Sequence, residues 1–168
     1  FINFFKNYNN AFLEIRTKSI NIKQLINIKP IKNVIVAYSI NPQKIIKEFE
    51  QKTPNFDSRL NSLKKIQDNG WNIGLRFDPI FITEKNKKDY FKFLEKIFTN
   101  LKCSLIHSIT IGKFRMSEKF LKKIIKIRPE DTLTFNYLMK NTNKEREIIQ
   151  LFYMQVQKYI DKKKIFFN

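Results

Sequence analysis

Six polar residues fall where apolar runs give way to loops: Lys18 after LEIRT, Ser39 and Asn41 closing NVIVAYSIN, Arg76 and Asp78 within NIGLRFDPIF, and Arg115 after ITIGKF. They supply an ammonium, a hydroxyl, an amide, two guanidinium groups and a carboxylate. Brought together on one rim, such a set suits a small zwitterionic or anionic ligand: lysine pairs with a carboxylate or phosphate, while Ser and Asn give directional hydrogen bonds. Ordinary structural roles compete with that reading. Asn-Pro and Ser are common in turns and caps, and Asp78 before Pro79 can end a strand by geometry alone.

The elements that must position these groups follow from hydrophobic periodicity. AFLEIRTKS (11–19), NVIVAYS (33–39), WNIGLRFDPIF (71–81) and LIHSITIGKF (105–114) read as strands, the second as a β-branched run buried on both faces. Between them, Phe56, Leu60, Leu63 and Ile66 recur at helical spacing, with Asp57 expected as N-cap, Phe56 as staple and Gly70 as the stop. Tyr90, Phe91, Leu94, Ile97, Phe98 and Leu101 mark a second helix. Ser117 caps a third carrying Phe120, Leu121, Ile124 and Ile125. After Pro129 a weak strand, TLTFNY, leads into a closing helix with Ile148, Ile149, Phe152, Val156, Tyr159 and Ile160 on one face. Alternation of apolar strands with helices is the pattern of parallel β/α units. Four or five units make either an open doubly wound sheet or part of a barrel, and both build ligand sites at the carboxyl ends of their strands.

Composition bounds the partners. The net charge is +18, from 33 basic and 15 acidic residues, as expected for a nucleic-acid binder. Lysine outnumbers arginine 27 to 6 and Asn, Ile and Phe abound, which an AT-rich genome also produces. No apolar run is long enough to cross a bilayer, so a soluble cytoplasmic protein is expected. The first residue is Phe1 and not Met, which suggests a piece of something longer. The single cysteine, Cys103, allows no internal disulfide and no multi-cysteine metal site, and it reads as a small buried hydrophobe. His107 reads as a core or face residue, and Trp71 and the 17 phenylalanines as core.

RTKS followed by VIVAYSINPQKIIKEFEQKTPNFDSRLNSLKKIQDNGWNIGLRFDPIF resembles the carboxyl-terminal half of the spore photoproduct lyase family of radical S-adenosylmethionine proteins. In that family a strand ending in Thr-Lys precedes one ending in Ser-x-Asn. A glutamate-containing helix, Thr-Pro, an Asp/Arg-Leu helix and a strand closing in Asp-Pro-Ile or Ala-Pro-Ile follow. The match runs from about residue 11 to about residue 115. It implies an α/β fold: parallel β/α units forming part of a partial TIM-type barrel, roughly its third to sixth strands, over residues 1–128, with a carboxyl-terminal strand and helix over 129–168. It also implies a 4Fe-4S cluster held by a three-cysteine motif outside this chain, a reductant protein for that cluster, and a 5'-deoxyadenosyl radical that repairs thymine photoproducts in DNA.

By the same resemblance Lys18 and Ser39 match contacts to the methionyl group of S-adenosylmethionine. Asn41, Arg76 and Asp78 lie near the cofactor by strand position, and Arg115 near a substrate phosphate or carboxylate. The founding members carry a basic, aromatic β-hairpin that wedges into the duplex, whereas here FNYLMKNTNKEREIIQLF runs into a helix. Two alternatives therefore stay open: a non-catalytic basic nucleic-acid-binding module, and a radical S-adenosylmethionine enzyme with a non-DNA substrate.

Overall fold

A computed structural model describes residues 2–8, 10–131 and 143–168. Five strands form one sheet: β1 (Leu13–Thr17), β2 (Val34–Ser39), β3 (Asn72–Ile80), β4 (Ile106–Lys113) and β5 (Ile165–Phe167). The strands lie in the order β1-β2-β3-β4-β5 and every neighbouring pair is parallel. A doubly wound sheet reverses its strand order at a switch point. This sheet never reverses, so it is a barrel wall and not an open doubly wound sheet. Among the described residues the α-helices are α1 (Lys23–Ile26), α2 (Gln43–Phe49), α3 (Phe56–Asp68), α4 (Lys87–Asn100), α5 (Glu118–Ile127) and α6 (Asn143–Gln157).

Alternation along the strands sorts their side chains onto two faces. The outer face carries Val34, Val36, Tyr38, Ile73, Leu75 and Phe77, and it packs against Leu60, Leu63 and Ile66 of α3, Leu94 and Ile97 of α4, and Phe152 and Val156 of α6. Phe77 anchors this core, its ring edge-on to Phe93 and Phe152 at centroid distances of 5.7 and 5.4 Å. All six residues of β2 are buried, as its unbroken apolar run predicts.

Several local expectations hold and others shift. The cap of α3 is Asn55, whose side chain accepts from Ser58 N, and not Asp57. Asp57 instead sits in the first turn, where its charge favours the helix dipole, and pairs with Lys96 at 2.6 Å. Gly70, at φ +96°, stops the chain after α3 as expected. Ser117 caps α5, but no residue of α5 is buried, and Phe120 and Ile127 are 62% and 78% exposed. The weak strand read at TLTFNY lies outside the described residues. Among the described residues the fifth strand is Ile165–Phe167, which joins the sheet beside β4 beyond α6.

Candidate functional site

The inner face of the sheet is built in tiers. Near the amino ends of the strands, Phe12 and His107 meet with ring centroids 5.6 Å apart, bridging β1 and β4. His107 is exposed on this face, where burial and the cations Arg76 and Lys164 hold its imidazole below the usual range. One tier up, Arg76 reaches across the inner face. Its Nε and Nη2 donate to Glu14 Oε1 and Oε2 at 3.0 and 2.5 Å, and its Nη1 and Nη2 donate to Ser108 O and Oγ at 3.1 and 2.9 Å. Small residues make the crossing possible. Ala37 and Gly74 are register partners beneath it, and a Cβ at Gly74 would lie 2.8 Å from Arg76 Nη2. The Arg76 hydrogen bonds, outweighing the cost of burial and aided by Arg16, hold the Glu14 carboxyl below its ordinary range.

The next tier pairs Arg16 Nη1 with Asp78 Oδ2 at 3.6 Å, while Asn168 Nδ2 donates to the same oxygen at 2.9 Å. Asp78 lies inside β3 and not at its end, and the Asp78-Pro79 bond is cis. Its carboxylate occupies the space over Gly112, where a Cβ would stand 2.6 Å from Asp78 Cγ.

At the carboxyl ends of β1 and β2 a second cluster forms. Thr17 Oγ1 accepts from Ser19 N and Ser19 Oγ from Asn21 N, at 2.9 and 3.1 Å, so two consecutive hydroxyl turns fix the loop that carries Lys18. Lys18 Nζ lies 3.0 Å from Glu50 Oε2. Arg59, from α3, approaches the same oxygen at 2.7 Å. Arg59 also donates to Pro54 O, Ser39 O and Thr53 Oγ1 at 2.8, 3.2 and 2.5 Å. Thr53 Oγ1 in turn donates to Glu50 O at 2.7 Å. Asn41 Nδ2 donates to Glu50 Oε1 at 3.0 Å and to Pro79 O at 3.3 Å, and Asn41 Oδ1 accepts from Tyr90 OH. Oε2 of Glu50 is held by its two cations through charge rather than an aligned hydrogen bond. Burial alone would raise the Glu50 carboxyl, but Asn41, Arg59 and Lys18 together hold it below the usual range.

The site residues expected from sequence thus separate. Lys18 and Asn41 meet at Glu50, and Ser39 joins them through the guanidinium of Arg59. Arg76 and Asp78 lie on the inner face in the tiers below, tied to Glu14 and Arg16. Arg115 is exposed past the end of β4. Sequence reasoning did not single out Glu50, Arg59 or Glu14. The Thr-Pro pair and the Arg-Leu of α3 were visible as motifs, and their chemistry is now plain: Thr53 and Pro54 receive Arg59, which neutralises Glu50. Cys103 stays apart at the end of α4, with burial raising its thiol. Among the described residues no group of three or more His, Cys, Asp or Glu could hold a metal ion. No helix among them is long and apolar enough to cross a membrane.

Comparison with known proteins gives concordant results. The family model for spore photoproduct lyase matches residues 1–165. A spore photoproduct lyase of Clostridium acetobutylicum is 30% identical over 118 residues, covering 70% of this chain and 34% of that protein. That of Bacillus subtilis is 30% identical over 98 residues, covering 58% of this chain and 29% of that protein. A solved spore photoproduct lyase complexed with dinucleoside spore photoproduct superimposes with a TM-score of 0.80 at 18% identity, covering 99% of this chain and 53% of that one. A mutant form with bound AdoMet and the same dinucleoside gives 0.76 at 18% identity. The chain spans about a third of the length of these curated relatives and about half that of the solved structures.

Proposed function

The chain belongs to the spore photoproduct lyase family, and from that premise we propose that it forms the carboxyl-terminal wall of a cytoplasmic radical S-adenosylmethionine enzyme that repairs thymine photoproducts in DNA. The observation that carries this reading is the cluster at the strand ends, where the Lys18 ammonium sits 3.0 Å from a buried carboxylate that Arg59 already neutralises.

The donor set fits the methionyl end of S-adenosylmethionine. Lys18 offers an ammonium to a carboxylate, and Ser39, at the end of β2, a hydroxyl. The amide of Asn41 is fixed from three sides by Glu50, Pro79 and Tyr90. Asp78 and Arg16, one tier inward, present a carboxylate and a guanidinium to the sugar or to the substrate. Arg115, exposed beyond β4, offers a guanidinium to a substrate phosphate or carboxylate. The bound cofactor supplies a hydrogen-abstracting radical; the wall's own residues bind and orient it and keep water from its inner side. A 4Fe-4S cluster does not fit the described residues, whose one thiol, Cys103, is remote from the rim, so its ligands and its reductant would come from elsewhere.

In the complete protein, Lys18→Ala and Ser39→Ala are expected to weaken S-adenosylmethionine binding with the thermal transition unchanged. Full affinity in both variants would sink the assignment. The +18 charge supports DNA as the second ligand, and binding should then weaken steeply with salt. Tight, salt-sensitive DNA binding with no S-adenosylmethionine affinity would instead favour the non-catalytic module.

A further inference from the structure

We propose that Glu50 is a positioning residue for the ligand carboxylate: it holds the Lys18 ammonium at the rim while Arg59 cancels its charge, so the cluster keeps one net positive charge on the partly exposed Lys18. This rests on the S-adenosylmethionine reading above.

The accounting is local. Lys18 and Arg59 bring two positive charges to one carboxylate. Their exposures differ sharply: the Arg59 side chain is 0% exposed, that of Glu50 5%, and that of Lys18 39%. A fully buried cation beside a buried carboxylate satisfies it in place, and Arg59 is locked there by Pro54, Ser39 and Thr53. Lys18 is therefore not needed to neutralise Glu50. An ammonium carries three donors, and the Lys18 side chain is 39% exposed although its Nζ lies 3.0 Å from Glu50. A second anion can therefore reach it without leaving Glu50 uncompensated. A lysine without such an anchor would lose side-chain entropy on binding; here that ordering is already done in the free protein. Asn41 is oriented by the same carboxylate through Oε1, so one residue sets two of the proposed contacts.

The opposite role is the natural rival. If Glu50 competed with the ligand for Lys18, removing its charge would tighten binding. Glu50→Gln keeps the shape and removes the charge; Glu50→Asp keeps the charge but withdraws it from Lys18, and serves if the Gln variant does not fold. Both are made in the complete protein, and equilibrium binding is measured for S-adenosylmethionine and for 5'-methylthioadenosine, which lacks the amino-acid moiety. Each variant should weaken S-adenosylmethionine roughly tenfold or more, the scale of a charge-assisted hydrogen bond, and leave methylthioadenosine unchanged. In a Lys18→Ala background the Glu50 substitutions should have a smaller effect, limited to the part carried through Asn41.

The outcomes separate the two claims. Lys18→Ala without effect on S-adenosylmethionine overturns the functional reading itself. Lys18→Ala weakening it while folded Glu50 variants bind equally or more tightly overturns the positioning role alone. Equal loss of both ligands also overturns it, because a purely structural defect would not discriminate between them.

Discussion

Arg59→Ala removes the buried half of the Glu50 ion pair and allows a quantitative test of the rim. The native guanidinium satisfies Glu50 Oε2 at 2.7 Å, Pro54 O at 2.8 Å, Ser39 O at 3.2 Å and Thr53 Oγ1 at 2.5 Å. Removing one partner of a buried pair costs about 3–5 kcal/mol, because the surviving charge is left in a poor solvent. Lys18 remains 3.0 Å away and partly hydrated, so the lower end, about 3 kcal/mol, is expected near neutral pH. The sign of the pH dependence follows from Glu50. In the parent its carboxyl is held below the ordinary carboxylate value of 4.5, so its contribution to stability is present above that value and lost as pH falls through the lower folded one. In the variant, burial prevails and the carboxyl moves up. The folded variant then loses stability as pH rises past about 4.5 toward the raised value. The gap between parent and variant should widen with pH. Urea unfolding of the complete protein at pH 5 and pH 8, at fixed ionic strength and with unchanged m-values, measures it. A gap below about 1 kcal/mol at pH 8, or one equal at both pH values, would refute the placement of Glu50 and Arg59 as a buried, mutually dependent pair.

Gly112→Ala should cost about 1–3 kcal/mol, since the new Cβ would drive into the Asp78 carboxylate 2.6 Å away at Cγ. Adding Asp78→Ala should relieve most of that loss, as a double-mutant cycle in denaturant would reveal. Phe152→Ala should cost about 3–5 kcal/mol, because this fully buried ring seals α6 against Phe77 and Tyr90; a loss under 1 kcal/mol in calorimetry would place α6 outside the core. Burial pushes the Tyr38 hydroxyl up from 10.0 to about 12. The unfolded chain ionises first, so stability should fall between pH 10 and pH 12 by roughly 2–3 kcal/mol, and Tyr38→Phe should flatten that part of the pH profile.

The strands and main helices were legible because their signals are local: β2 is apolar at every position, and α3 shows both its period and its glycine stop. What escaped the sequence was set by tertiary contact. β5 is only three residues long, and its identity as a strand comes from the free edge of β4 rather than from its own pattern. Asn55 and Asp57 are both able caps two residues apart, and only the backbone turn at Asn55 chooses between them. Phe93 of α4 went unread because the helix meets neighbours on two sides, α3 at Phe56 and the sheet at Phe77, which widens its buried face beyond a single stripe. The site was half legible. Lys18, Ser39 and Asn41 stand at strand ends, where chemistry is looked for. Glu50 and Arg59 are nine residues apart across a loop, with no periodicity linking them, and Ala37, Gly74 and Gly112 matter for the space they leave empty.

Charge acts on this chain at two ranges. The inner face and rim hold four cations, Arg16, Lys18, Arg59 and Arg76, against three carboxylates, Glu14, Glu50 and Asp78. The concave site is therefore close to neutral, and nearly all of the +18 lies elsewhere. A small ligand at the rim would meet a few short-range partners backed by the buried Arg59–Glu50 pair, so salt would weaken it far less than a polyanion's many contacts. A polyanion meets the outer lysines, whose attraction depends on counterion release and falls with salt. If both ligands bind, their affinities should respond differently to ionic strength. The overall charge thus says nothing about the proposed small-molecule site; on the reading above, that site would depend on the single unbalanced ammonium of Lys18, beside a carboxylate that sequence reasoning passed over.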